Sequence, residues 1–346
     1  MSSSVFLLSL CSEKMERVVQ CLNMKPTNLV YLFLDNGVGV VARYDNTHNQ
    51  IDHNVANVEF VPAIPSDEIK PMKLGGDKIS CRCMKETFEG EFFHSLHYFA
   101  PEEITVLESL QRHMRDLFRF DVCVQLELYS LHYLNMSRII KDVTDTSFDV
   151  EELDTEQLEN YLTIHPGQDS LHLTAKLTGP QLKSDSKLCS IKGLVVQGTH
   201  DGDELDPLFL FETTQQNPRL HFSEIINNFG GEYLVFFKVI YDVNDWAQLI
   251  WRWKRKEAYH NLKCVATTSL TGVSIPFEHT MQQFDFVKWD GQRRPRIAKL
   301  DPKIIYFKLD SEVMDCSEWM DIQQDGGGKW ASITWSQKHI CFIVWD

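Results

Sequence analysis

Paired histidines and hydroxyls are the residues here whose types and spacing could do chemistry. His172-Leu173-Thr174 and His221-Phe222-Ser223 both place an imidazole two residues before a hydroxyl. Two such pairs facing one another could trade a proton as acid and base while the hydroxyls hold a phosphate. The first pair falls on a strand-like run, and the second reads equally well as a helix start. Cys81-Arg82-Cys83 could contribute thiolates to a metal, but no second cysteine pair or Cys-x-x-His completes a site, and alternate thiols on one strand face explain the spacing. Asp201, Asp203, Glu204 and Asp206 lack the glycine and distal glutamate of a calcium-binding loop, so they read as a solvated acidic loop. Gly326-Gly327-Gly328 lacks both the strand-to-helix context and the Lys-Ser/Thr ending of a phosphate loop and reads as a turn. The residues predict no catalytic site, no metal site and no cofactor.

Charge is the second chemical resource. The formal net charge of −15 argues against a protein that holds nucleic acid over its whole surface. Basic residues nevertheless concentrate: Arg112, Arg115 and Arg119 on one helical pattern, Arg252, Lys254, Arg255 and Lys256 on another, and Arg293, Arg294 and Arg296 in a loop. Acid gathers elsewhere, at 142–159 and 201–206. An acidic body with segregated basic faces can guide a polyanion along one surface; the plainer account is a set of solvated helix faces. Trp246 and Trp253 fall on an apolar helical stripe and read as core, whereas Trp251 lies off that stripe and could stack on a base.

The elements that must position these residues follow from periodicity. Residues 5–10 form an apolar run that reads as a strand, too short to span a membrane and without the flanks of a secretory signal. Ser12 can cap a helix at 13–22 that buries Met15, Val18, Val19 and Leu22 and presents Lys14, Arg17 and Gln20. Pro101 and early acid open a helix at 102–119 with Ile104, Leu107, Leu110, Met114, Leu117 and Phe118 inward. Asp154 or Thr155 opens a short helix with Leu158, Tyr161 and Leu162 inward, and Asn244 can cap one that buries Trp246, Leu249, Ile250 and Trp253. Strand patterns mark 79–84, 120–129, 171–177, 188–196, 304–309 and a hairpin at 330–345; a final helix is expected near 311–320. Nine scattered cysteines, mostly in apolar runs, point to a reducing compartment, nuclear or cytoplasmic.

A weak self-similarity organises these pieces. An apolar run, an amphipathic helix and a glycine-punctuated strand pair occur at 5–44, with Asn36-Gly37 at the turn, and again at 233–277, with Gly272 near the turn. Repetition of one unit implies equivalent pieces packed side by side. The reading is α+β: antiparallel sheets with a few amphipathic helices on one side, in an N-terminal domain 1–215 with an insertion around 62–99 and a C-terminal domain 216–346.

This plan resembles the DNA sliding-clamp family, particularly the smallest-subunit type of the checkpoint clamp. The likeness is carried by LVFFKVIY, NDWAQLIWRWKRK and NLKCVATTSLTGVSIPFEH at 234–286, and more weakly by LDTEQLENYLTIHPGQDSLHLTAKL at 153–177, over roughly half the chain. The resemblance implies clamp-like half-domain repeats and a noncatalytic subunit that encircles or cradles duplex DNA, joins other clamp-like subunits in a ring, and serves as a platform for repair or replication factors. It would put Lys14, Arg17, Arg252, Arg255 and Lys256 on an inner wall that holds phosphate without reading bases. Glu156 and Glu159 depart from that pattern, as do Glu312, Asp315 and Glu318, where clamps carry Lys and Arg. Two other expectations stand beside it: a protein-interaction scaffold using strand edges and the aromatic loop 289–296, and a two-histidine phosphoesterase using His172 and His221.

Overall fold

The computed structural model describes residues 3–22, 24–46, 49–88, 91–118, 123–197, 218–237, 243–268, 277–301, 313–336 and 339–346. The chain divides into two compact units, Met1–Asp149 and Val150–Asp346. The boundary expected at 215/216 falls outside the described residues. Each unit is a mixed α and β structure built on a sheet that combines parallel and antiparallel strands.

The first unit opens on two helices, α1 (Ser3–Cys11) and α2 (Glu13–Cys21). The run 5–10 is therefore a helix and not the expected strand. Its burial shows why: Phe6 and Leu10 are buried while Leu8, which would share their face in a strand, is 44% exposed. Ser12 caps α2 as expected, its hydroxyl accepting from the Met15 amide at 3.2 Å. Of the inward face expected for α2, Val19 is buried but Val18 and Leu22 are 49% and 59% exposed. The strands are β1 (Asn28–Leu34), β2 (Gly37–Asn46), β3 (Asn49–Val61), β4 (Lys70–Leu74), β5 (Asp77–Phe88) and β6 (Glu91–Phe99), followed by α3 (Glu103–Phe118), β7 (Cys123–Leu128) and β8 (Val143–Phe148). Their order across the sheet is β8-β7-β1-β2-β3-β6-β5-β4, with β7 parallel to both β1 and β8, and β3 parallel to β6. Residues 62–99, expected as an insertion, carry β4, β5 and β6 and so continue this sheet.

Helix α3 packs on β4, β6 and α2. Leu107, Leu110, Met114, Leu117 and Phe118 are buried as expected, but Val106 takes the inward place given to Ile104, which is 48% exposed. Between β4 and β5 the chain turns tightly through Gly75, whose φ of 53° is left-handed. A Cβ there would lie 2.1 Å from the Ser109 carbonyl oxygen of α3. The same turn is fastened by Arg112, donating to the Gly75 carbonyl at 2.7 Å and to Asp77 at 2.9 Å, and by Ser109 Oγ, donating to Asp77 at 2.6 Å.

The second unit begins with β9 (Glu152–Asp154) and α4 (Thr155–Ile164), where Asp154 caps the helix by accepting from the Glu156 and Gln157 amides. Next come β10 (Ser170–Leu173), β11 (Lys176–Thr178), β12 (Gly193–Gln197), α5 (Pro218–Asn228), β13 (Tyr233–Phe237), α6 (Val243–Lys254) and β14 (Cys264–Thr268). The unit closes with α7 (Phe277–Met281), β15 (Val287–Lys288), β16 (Ile297–Lys299), β17 (Val313–Asp315), β18 (Met320–Gln323), β19 (Trp330–Trp335) and β20 (His339–Val344). The sheet runs β15-β18-β19-β20-β14-β13-β12-β10; β9 with β11, and β16 with β17, form separate pairs. Strands β10, β12, β13 and β14 are mutually parallel, and β14 meets the terminal β19–β20 hairpin antiparallel.

These parallel pairs correct the antiparallel expectation. Parallel neighbours need long crossovers, and α6 supplies one between β13 and β14. All five residues of β13 are buried, the continuous apolar signature of a strand covered on both faces. Helix α6 buries Trp246, Leu249, Ile250 and Trp253, as its periodicity predicts, although Asn244 lies inside its first turn. The expected repeat fails at its first element, since one copy opens on α1 and the other on β13. The helix expected near 311–320 is replaced by β17 and a turn into β18. Residues 269–276 and 304–309 lie outside the described residues.

Candidate functional site

Five basic side chains carry the expected phosphate contacts, and the fold treats them unequally. Lys14 and Arg17 are exposed on α2 and, with Glu13, Val18 and Cys21, line a surface depression of the first unit. In the second unit Arg252 is drawn inward, donating to the Asn227 carbonyl at 2.6 Å with its guanidinium carbon 5.4 Å from the Tyr259 ring centroid. Arg255 is exposed but lies over Trp251 at 4.9 Å and approaches Glu257 at 4.0 Å. Lys256 adopts a left-handed φ of 60° just beyond α6, its amide donating to the Trp253 carbonyl at 3.0 Å. Of this basic charge, the Arg252 guanidinium is thus spent on pinning the α5 terminus.

Trp251 heads a larger arrangement. Its ring lies 4.8 Å from Phe284, Phe284 is 5.7 Å from Phe286, and Phe286 is 6.3 Å from Trp335. These rings come from α6, the segment after α7 and the end of β19, so the fold assembles a ladder that ends on the Arg255 guanidinium. Phe284 is buried, whereas Trp251, Phe286 and Trp335 remain half-buried at the surface. Sequence reading singled out Trp251 alone, because the other rings are distant in the chain and share no spacing with it.

The aromatic loop 289–296 keeps most of its residues exposed and is anchored through one buried side chain, Arg294. Arg294 is 6% exposed, donates to Asp321 at 2.9 Å and to the Cys316 carbonyl at 2.7 Å, and lies 5.0 Å from the centroids of both Trp289 and Trp345. Ser332 Oγ donates to the same Asp321 oxygen at 2.6 Å and accepts from Trp345 Nε1 at 2.7 Å. A charge so deep needs both its counter-ion and its carbonyl acceptors, and here they fasten the loop onto β18 and β19.

The remaining chemical candidates separate. His172 is buried on β10, 3.5 Å from Thr174 Oγ1. His221 and Ser223 fall on α5, where Ser223 Oγ donates to Asp245 at 2.8 Å, so the two H-x-[S/T] strings do not occupy equivalent strands. Cys81 is fully buried and burial pushes its thiol up to about 11, whereas Cys83 is exposed. Asp201, Asp203, Glu204 and Asp206 lie outside the described residues. Gly326 and Gly327 form the expected turn, with φ of 70° and 76°. Among the described residues, one group, Glu59, Glu86 and His97, converges closely enough to hold a metal ion. No described helix is long and apolar enough to cross a membrane. Comparison with known proteins adds no relative: no family model, curated protein or solved structure matches this chain.

Proposed function

We propose that this chain is a protein-binding scaffold whose second unit contacts a partner through the aromatic ladder. The observation that carries this reading is the alignment of Trp251, Phe284, Phe286 and Trp335 behind Arg255, with three of the rings half-buried. Tryptophan, tyrosine and arginine dominate the energetic centres of protein interfaces, because rigid rings bury area at little entropic cost. The test is quantitative recovery of bound proteins by the full chain against a Phe286→Ala/Trp335→Ala variant. Partners of the ladder are expected to weaken by about 2 kcal/mol, roughly thirtyfold, while the variant keeps a cooperative melting transition above the assay temperature. Equal recovery by both chains counts against the ladder.

A second reading keeps the clamp-like subunit that cradles duplex DNA with other clamp-like subunits and recruits repair or replication factors. What favours it is the exposure of Lys14 and Arg17 on α2 and of Arg255 and Lys256 at the end of α6. Arg252 adds less to the basic end of α6, because its guanidinium already serves Asn227 and Tyr259.

A further inference from the structure

Three strands of the first unit bring one imidazole and two carboxylates to a single point. Glu59 of β3 is register partner to His97 of β6, and His97 is in turn opposite Arg82 of β5, so the three form one row across the sheet. Glu86 stands four residues along β5 on the same face as Arg82. His97 Nε2 lies 3.4 Å from Glu59 Oε2 and 3.3 Å from Glu86 Oε1. The histidine side chain is 9% exposed, while the carboxylates, at 40% and 29%, keep a route to solvent.

Those separations are long for N–H···O hydrogen bonds, which cluster near about 2.9 Å. They match the edge of a tetrahedral metal site: ligands each about 2.05 Å from a zinc ion sit about 3.3 Å apart. The surrounding shell fits too. Ser95 Oγ donates to the other Glu59 oxygen, Oε1, at 3.2 Å, the kind of outer contact that orients a ligating carboxylate. Glu59 and Glu86 converge on the His97 ring, and Arg82, which meets the other ring nitrogen, is already paired with Glu68, so a dication would offset the charge of the two carboxylates.

We infer that Glu59, Glu86 and His97 form a binding site for a first-row divalent cation of zinc type, with solvent completing the coordination. One neighbour opposes binding and thereby sets its strength. Arg82 Nη2 donates to His97 Nδ1 at 2.9 Å, which keeps the ring proton on Nε2, the nitrogen that must ligate. On binding, that proton leaves Nε2 and the neutral ring carries its proton on Nδ1. Arg82 then turns away, retained by Glu68, to which its Nη1 already donates at 3.0 Å. Cys81 and Cys83 flank Arg82 along the strand and so face the opposite side of the sheet, which leaves an imidazole and carboxylate set without thiolate.

The experiment is titration of the chelator-stripped full chain with zinc in competition with a chromophoric chelator, repeated with cobalt to record its visible spectrum. The expected result is one equivalent bound, a cobalt spectrum without thiolate charge transfer, and a zinc-dependent rise in melting temperature. His97→Gln and Glu86→Gln each weaken binding by at least about tenfold, and Arg82→Gln strengthens it severalfold. Melting curves in zinc-free buffer confirm that the variants fold. Unchanged zinc affinity in both His97→Gln and Glu86→Gln, or a thiolate-dominated cobalt spectrum, overturns the assignment; weaker binding by Arg82→Gln overturns the competition.

Discussion

His113 shows how burial sets the behaviour of a single group. It is 3% exposed on α3, with Nε2 2.8 Å from Ser9 Oγ, the ring edge-on to Phe6 at 5.7 Å, and Glu16 3.6 Å from Nδ1. Burial pulls its pKa down to about 4, outweighing the nearby Asp116 charge that favours the proton. The unfolded chain takes up that proton near pH 6.5 while the folded chain does not, so stability is full above about 6.5 and falls as pH drops toward 4. Urea unfolding is expected to lose roughly 2 kcal/mol between pH 6.5 and 5 on this account, and His113→Asn should flatten that slope. A slope equal in the variant would place the acid sensitivity elsewhere. Little of this was legible in the sequence, for a consistent reason. Whether Arg252 is free depends on a carbonyl at Asn227, and whether Arg294 is exposed depends on Asp321; both partners arrive by tertiary folding. Glu59, Glu86 and His97 share no spacing signature either, since three separate strands supply them.

At the scale of elements, periodic helices with caps were readable and short apolar runs were not. Ser12 and Asp154 announced α2 and α4, and the stripe Trp246, Leu249, Ile250 and Trp253 announced α6. Residues 5–10 carry too few polar positions to distinguish helix from strand, and only packing of Phe6 and Leu10 decides it. Strand direction was equally hidden, because a fully apolar β13 gives no alternation and its parallel partner lies beyond a helix. The β4–β5 turn gives an element-level prediction. Gly75 combines a left-handed backbone with a close approach to the Ser109 carbonyl, so Gly75→Ala has neither a relaxed conformation nor room for its methyl. The expected cost is about 2–4 kcal/mol in chemical denaturation. A loss below about 0.5 kcal/mol would mean that the turn and α3 can separate freely.

At the scale of the whole molecule, each unit combines helices with parallel and antiparallel strand pairs. The repeat that organised the sequence reading did not survive, because similar hydrophobic patterns were folded as α1 and β13. The formal charge of −15 bears directly on the clamp reading. A body so acidic holds DNA only through local basic faces, and each neutralised phosphate steepens the salt dependence. Under that reading, Lys14→Glu/Arg17→Glu should make log K against log salt shallower by roughly 1.8. Duplex retention indifferent to these reversals would remove α2 from any DNA surface. A last consequence belongs to β4, the terminal strand of the first unit's sheet order. Lys70, Pro71 and Lys73 are exposed there, Pro71 has no N–H to donate, and Lys73 is tied to Glu13 at 2.6 Å. A rim so charged and short of donors is a poor seed for strand-by-strand growth, which guards this wide sheet against fibril formation in a crowded cell.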